Sequence, residues 1–180
     1  MSSARTVTPA VALALVVLGG CLAPVEQGTE AVPEAAPEAV TAQVTRVIDG
    51  DTLEVEVDGA RERVRLVGID APEVGRDGLA DECGAVQASE ALKDMLKHGQ
   101  VDLVADVGGT EDRDRFGRLL RHVHVEDLDI GQWLVERGWA IAWAPRSAAR
   151  PARMDLYEAA EQMARDEGVG MWALCEEERT

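Results

Sequence analysis

Two neighbouring blocks of the chain carry side chains that together can cut a phosphodiester. Asp51 lies in the first block, IDGDT, and Arg65, Asp70 and Glu73 lie in the second, VRLVGIDAPE. Asp51 and Asp70 are able to bind a hard cation through oxygen, and Glu73 follows where a base can orient water. The arginine offers a planar fork to a phosphate. The combination predicts metal-assisted hydrolysis of a phosphodiester.

A third block, DRFGR, ends at Arg118. With it, the chain resembles the staphylococcal nuclease family, whose signature is I-D-G-D-T, then R-L-x-G-I-D-x-P-E, then D-x-[YF]-G-R, in that order. The resemblance covers roughly Val44 to Trp172. It implies a calcium-dependent endonuclease that hydrolyses DNA, RNA or both with low sequence specificity.

The resemblance also implies a role for each carboxylate. Asp51 and Asp70 match residues that ligate Ca²⁺, together with the backbone carbonyl of Ala71. Glu73 matches the general base, or the residue that positions the attacking water. An Asp-Gly-Asp sequence alone is a weak signal, because both residue types mark turns. We expect Asp49 to shape the turn and Asp51 to face the metal.

Two arginines complete the implied site. Arg65 and Arg118 match the pair that neutralises the phosphate in the transition state, where preorganised charge contributes most. The chain departs from the family at Ala71, which is threonine in some members. It also lacks the tyrosines that close the nucleotide pocket of the best-known member. Trp143 either stacks on a base in their place or belongs to the core.

Other residues capable of chemistry have simpler explanations. His122 and His124 lie two apart on a predicted strand and so share a face, a spacing that can bind zinc. Solvated strand histidines are far commoner. Arg146, Arg150 and Arg153 either border the substrate path or belong to a solvated loop.

The N-terminus has the pattern of an export signal. Residues 1–20 contain an early arginine and an apolar run too short to span a bilayer, and residues 18–21 form a lipobox that ends at Cys21 and is cleaved just before it. Cleavage there would leave lipid on Cys21 and a lipoprotein anchored outside the cytoplasm. An ordinary cleaved signal, with secretion, and an uncleaved anchor are the alternatives. Residues 21–42 are rich in Pro, Ala and Glu and predict a disordered tether.

The remaining segment, 43–175, has the size of one domain, and we expect a monomer. The formal net charge of −16 is unusual for an enzyme that binds nucleic acid, since such proteins normally carry a basic surface. Adaptation to high salt would explain the acidic surface, because molar salt screens repulsion of DNA. Residues 176–180 form an acidic tail.

Two cysteines remain once Cys21 is assigned to lipid. Exported members of the resembled family often have cysteines in the contexts of Cys83 and Cys175, which implies a disulfide between them. Two free buried thiols are the alternative, a less common state in an oxidising compartment. We expect reduction of the bridge to lower stability and to leave the catalytic groups untouched.

The periodicity of apolar residues predicts an α+β fold. Alternation about an Asp-Gly turn indicates a hairpin of two strands, and two further alternating runs indicate two more. The resemblance adds a strand that ends in the IDGDT block, which makes five short strands in a Greek-key, OB-fold barrel. Helical spacing predicts about three helices. They begin near Ala85, Ile130 and Met154 and end before Gly99, Gly138 and Gly168.

Two further functions compete with the nuclease. One is an OB-fold lipoprotein that binds nucleic acid and has weak or no catalytic activity. The other is a tethered interaction lipoprotein in which the acidic surface is the functional part. Loss of Asp51, Glu73 or an active-site arginine would favour the first alternative, but all are present. The second leaves the carboxylates and arginines unexplained.

Overall fold

The computed structural model describes residues 39–97 and 99–175. The predicted signal peptide, lipid-bearing Cys21, most of the tether and the tail at 176–180 lie outside these residues. No helix in the described part of the chain is both long and apolar enough to cross a membrane.

The core of the domain is a closed five-stranded barrel with the predicted α+β character. Its strands are β1 Ala39–Val47, β2 Thr52–Val57, β3 Ala60–Leu66, β5 Gln100–Ala105 and β6 Leu119–Val125. They pair in the order β3-β2-β1-β5-β6, and a parallel pairing of β3 with β6 closes the ring. Three two-residue strands lie outside the ring: β4 Ile69–Asp70, β7 Leu128–Asp129 and β8 Ile141–Ala142.

The barrel begins earlier than predicted. Strand β1 starts at Ala39, so residues 39–42 are paired with β5 and do not belong to a disordered tether. Ala42 is buried in the core. The prediction was wrong here because the preceding residues are rich in proline, and the alternation of side chains over residues 39–42 is too short to indicate a strand by itself. The strand is stabilised by its partner β5.

The hairpin of β2 and β3 follows from its sequence. Leu53 and Val64 are fully buried, and they alternate with charged residues that face outward. Asp58 and Gly59 both adopt positive φ, as a tight hairpin turn requires. The outward positions pair glutamates of β2 with arginines of β3 in register, so opposite charges face each other across the strands.

Three helices lie where periodicity predicts them, and a fourth was missed. They are α1 Ala85–Met95, α2 Ile130–Glu136 and α3 Met154–Glu167; the fourth is α4 Met171–Leu174. Asp129 caps α2 by accepting a hydrogen bond from Gln132 N at 3.1 Å. A four-residue helix has too few turns to show periodicity, which explains the omission.

A buried polar cluster joins β6 to α3. The His122 ring lies 2.9 Å from the Tyr157 hydroxyl through Nδ1 and 3.0 Å from Asp106 Oδ1 through Nε2. Tyr157 also donates to Asp129 Oδ2 at 2.8 Å. No group of three or more His, Cys, Asp or Glu side chains that could hold a metal is found in residues 39–97 and 99–175. His122 is therefore a satisfied core histidine, and the zinc interpretation is not supported.

This cluster should make stability depend on pH. Burial lowers the pKa of His122, although the hydrogen bond to Asp106 opposes the shift. The folded state therefore binds fewer protons than the unfolded state below about pH 6.5, and the free energy of unfolding falls as the pH drops. We expect thermal unfolding to show a smaller loss of stability between pH 7.5 and 5.5 in His122→Gln than in the parent.

The half-buried His124 provides the matched control, since it lies two residues along the same strand and contacts Arg153 at 3.1 Å. His124→Gln controls for the loss of an imidazole outside the buried cluster. Equal pH dependence in His122→Gln and the parent would contradict the assignment.

Candidate active site

The turn between β1 and β2 places Asp51 below the barrel surface. Asp49 Oδ1 accepts a hydrogen bond from Asp51 N at 3.2 Å, so Asp49 shapes the turn as expected. A Cβ on Gly50 would lie 2.6 Å from Ala71 Cβ and 2.9 Å from Ala88 Cβ. Only glycine lets the turn pack this closely, and the packing leaves Asp51 2% exposed.

Arg65 lies between the two predicted metal-binding carboxylates. Its two terminal nitrogens each lie 2.5 Å from one carboxylate oxygen, on Asp51 and on Asp70. Asp51 also accepts hydrogen bonds from Thr52 Oγ1 at 2.9 Å and from Ala71 N at 2.8 Å. The side chain of Asp70 is 43% exposed and faces outward from this cluster. The structure therefore brings together Asp51, Arg65, Asp70 and Ala71.

Burial raises the pKa values of both carboxylates in this cluster. It raises the pKa of Asp51 to about 7, although Arg65 opposes the shift. Burial also raises the pKa of Asp70, again against Arg65. Two carboxylates compete here for a single guanidinium, so a further cation would favour the ionised form of both.

The donor chemistry fits a hard divalent cation. The two carboxylates provide oxygen ligands, and Ala71, whose carbonyl is the third predicted ligand, lies beside them. Ca²⁺ prefers oxygen ligands, and waters commonly complete its coordination. The exposed side of Asp70 leaves room for such waters, whereas Asp51 supplies a buried, preformed acceptor.

Glu73 is held by a loop that folds back on itself. Its N–H donates to Glu82 Oε2 at 2.9 Å, and its carbonyl accepts from Glu82 N at 3.0 Å. Burial raises the pKa of the Glu73 carboxyl, and the negative charge of Asp49 adds to the effect. A carboxylate with a raised pKa is a better proton acceptor, as a general base requires.

The predicted disulfide anchors this loop. Cys83, the residue after Glu82, is bonded to Cys175 directly after α4, with their Cα atoms 5.9 Å apart. The bridge therefore ties the loop that carries Glu73 to the C-terminal part of the domain. This connection was not apparent from the sequence.

Arg118 is oriented by the first residue of its own motif. Asp114 accepts hydrogen bonds from the backbone N–H of Phe116 and Arg118, each at 2.9 Å, and from Arg118 Nε at 2.7 Å. Burial opposes ionisation of Asp114, but the bonds from Arg118 outweigh it and lower its pKa. Arg118 NH1 then lies 3.4 Å from Thr52 Oγ1, one residue from Asp51.

Glu73 and Arg118 face one cavity of about 260 Å³. Asp51 and Arg65 are buried beside its wall, since Thr52 lines the cavity and pairs with Arg65 in register. The lining residues are Arg46, Ile48, Asp49, Thr52, Glu54, Arg63, Glu73, Arg76 and Arg118. Of the groups implied by the resemblance, Glu73 and Arg118 line the cavity, and Asp51 and Arg65 lie beside it.

Sequence reasoning missed three arginines of this cavity. Arg76 lies in the loop after Glu73 and is 3.4 Å from Asp49 Oδ2. Arg46 and Arg63 lie on β1 and β3. Only Arg63 had a usable signal, because it lies two residues before Arg65 on the same strand face.

The two aromatic residues near the motifs differ in position. Trp143 is 44% exposed and donates its backbone N–H to Gly68 O, but it does not line the cavity, so its stacking role stays a prediction. Phe116 is 69% exposed, and its ring centroid lies 5.5 Å from the Arg118 guanidinium. The sequence indicated Phe116 only as part of a motif, although an exposed aromatic side chain beside an arginine is suited to stacking on a base.

The arginine loop before α3 is mostly committed to ion pairs. Arg150 contacts Asp155 and Glu158, and Arg153 contacts Asp129. These two side chains are therefore explained by local structure.

Comparison with known proteins agrees with the predicted barrel fold. Residues 63–174 match the staphylococcal nuclease homologue family. The chain is 34% identical over 131 residues to a thermonuclease of Staphylococcus intermedius, covering 72% of this chain and 74% of that protein. It is 31% identical over 140 residues to a micrococcal nuclease of Shigella flexneri, covering 73% and 72%.

The chain belongs to the staphylococcal nuclease homologue family. A longer relative, endonuclease YncB of Bacillus subtilis, is 28% identical over 135 residues, which cover 74% of this chain and 62% of that protein. The chain spans 63% and 45% of two other relatives, so each has substantial length outside the shared region.

Proposed function

We propose that this protein is a calcium-dependent endonuclease that hydrolyses phosphodiesters of DNA, RNA or both with low sequence specificity. One observation carries the proposal. Arg65 contacts both Asp51 and Asp70, and this cluster lies beside a cavity that Glu73 and Arg118 line. The names of the relatives support the same reaction class.

The carboxylates and the Ala71 carbonyl would hold the cation, which would polarise the phosphate as a Lewis acid. Its charge would also offset the repulsion between Asp51 and Asp70. Arg65, which contacts both carboxylates, would offer a nitrogen to a phosphate oxygen.

Glu73 and Arg118 act from the cavity that they line. Glu73 accepts a proton from the attacking water, a role that its raised pKa supports. Arg118 offers its two terminal nitrogens to the phosphate, because Asp114 already holds Nε. The charge of Arg118 stabilises the phosphate as negative charge builds up during attack.

The metal assignment predicts a specific loss of activity. Chelator should abolish cleavage of single- and double-stranded DNA and RNA by the full chain, and added Ca²⁺ should restore it. Asp70→Asn should weaken calcium binding, measured by titration calorimetry, because one ionic ligand is lost. It should lower turnover by about tenfold or more.

Asp94→Asn on the exposed face of α1 is the matched control, since it makes the same charge change. It should leave calcium binding and cleavage unchanged. Full activity in chelator would overturn the metal assignment.

The weakly active or inactive binding protein remains the alternative. Glu73 and Arg118 line one cavity, and Arg65 lies beside it in contact with Asp51 and Asp70. This arrangement favours hydrolysis, because nucleic-acid binding alone needs neither a base nor a preformed cation site. Binding of DNA without cleavage at any calcium concentration would favour the alternative.

We also propose that the domain works outside the cytoplasm, anchored through lipid on Cys21. The Cys83–Cys175 bridge supports this location, because disulfides persist in oxidising compartments. Mass spectrometry of the protein from its own host tests both modifications, and an unmodified Cys21 within an intact N-terminus would contradict the lipid anchor.

A further inference from the structure

A row of alternating charge crosses three strands beside the cavity. Arg46 on β1 lies opposite Glu54 on β2, which lies opposite Arg63 on β3. We call these three residues the arginine row. On β3, residues two apart share a face, so Arg63 lies on the same face as Arg65, about 7 Å away along the strand.

The arginine row is continuous with the candidate active site. All three of its residues line the cavity that Glu73 and Arg118 also line. The cavity therefore extends past the groups that would act on the scissile phosphate and reaches the row.

Charge balance within the row leaves one cation uncompensated. Arg63 Nε lies 3.7 Å from Glu54 Oε1, and its side chain is 66% exposed. Arg46 has no ion pair among the described residues. The row contains two arginines and one glutamate, so the charge of one arginine is not balanced within the row. The row thus carries a net positive charge in a chain whose formal charge is −16.

We propose that Arg46 and Arg63 bind the phosphate next to the scissile phosphate on the same nucleic-acid strand. The proposal rests on the nuclease function and extends it to a second subsite. The substrate class is then a polynucleotide with at least two consecutive phosphodiesters. A phosphate bound there would be held by charge-assisted hydrogen bonds from exposed guanidinium groups, and it would keep its neighbour in place beside Arg65 and Arg118.

The test compares two substrates and uses a variant with both arginines replaced. In Arg46→Gln/Arg63→Gln, kcat/KM for a ten-residue oligothymidylate should fall by about ten- to a hundredfold. The value for a thymidine dinucleotide with one phosphodiester should stay within about twofold. The dependence of log kcat/KM on log salt should become shallower by about 0.7 for each lost contact.

Arg61→Gln is the matched control. Arg61 lies two residues before Arg63, opposite Glu56, and does not line the cavity. It should change neither rate by more than about twofold. An equal loss in Arg61→Gln and the double variant would show a general effect of charge and overturn the subsite.

The two levels of the proposal can fail separately. Equal losses on both substrates in a double variant with a parental melting temperature would also overturn the subsite, while the nuclease function would stand. If the parent cleaves neither substrate with calcium present, the nuclease function and the subsite fall together.

Discussion

Replacing Arg118 by alanine should lower turnover by about three orders of magnitude or more while the domain remains folded. An arginine placed at a transferring phosphoryl group commonly contributes this much to the rate. Arg118 meets the requirement for preorganisation, because Asp114 holds its Nε at 2.7 Å before substrate arrives. The loss should appear in kcat more than in KM, since the charge matters most in the transition state.

Arg118→Lys separates the charge of Arg118 from its geometry. Lysine retains the positive charge but cannot keep a bond to Asp114 and also present a planar fork, so most of the activity should still be lost. Arg115→Ala, in the same turn, is the control and should retain turnover close to that of the parent. Its guanidinium lies over the Phe116 ring at 4.7 Å and does not line the cavity. Parental turnover in folded Arg118→Ala would refute the assignment.

Removing the disulfide should reduce both stability and activity. The bridge spans 92 positions, and a loop of that length is worth about 4–5 kcal/mol in the chain-entropy description. The double variant Cys83→Ala/Cys175→Ala should therefore melt more than about 10 °C lower than the parent. Turnover should also fall at temperatures where the variant is folded. Cys83 follows Glu82, which forms hydrogen bonds with both the backbone N–H and the carbonyl of Glu73.

The second effect departs from the sequence-based expectation that reduction leaves the catalytic groups untouched. Glu82→Ala, in the presence of the bridge, isolates the local contact to Glu73 N. It should lower turnover with a smaller change in melting temperature than the cysteine variant shows. Parental turnover in the folded cysteine variant would mean that the loop holds its position without the bridge.

The residues of the candidate site could be proposed from the sequence, but their contacts could not. Three blocks of residue types indicated Asp51, Asp70, Glu73 and the arginines, because each block carries its own turn or strand signal. Nothing in a motif shows that one guanidinium bridges Asp51 and Asp70. That contact depends on the register between β2 and β3, and a shift of one residue would reverse the face of every side chain.

The helices and strands also divide into those that local sequence predicts and those that depend on tertiary contacts. The hairpin and three helices have local periodicity, and the structure contains them. The first four residues of β1 and the short helix α4 depend on tertiary partners, so local patterns were insufficient. The same limit explains why Arg76 and Glu82 were missed. Arg76 contacts Asp49 and Glu82 contacts Glu73, and these contacts form only when the chain folds.

The parallel pairing of β3 with β6 has a consequence for folding. Arg65 pairs in register with Leu120, two positions after Arg118, so closure of the barrel is the step that brings together the two arginines proposed to bind phosphate. Pairings between strands distant in sequence form slowly, because the cost of closing the intervening chain precedes any gain. A partly folded chain with an open barrel therefore lacks the paired arginines. During refolding, recovery of enzymatic activity would report the time at which this long-range pairing forms.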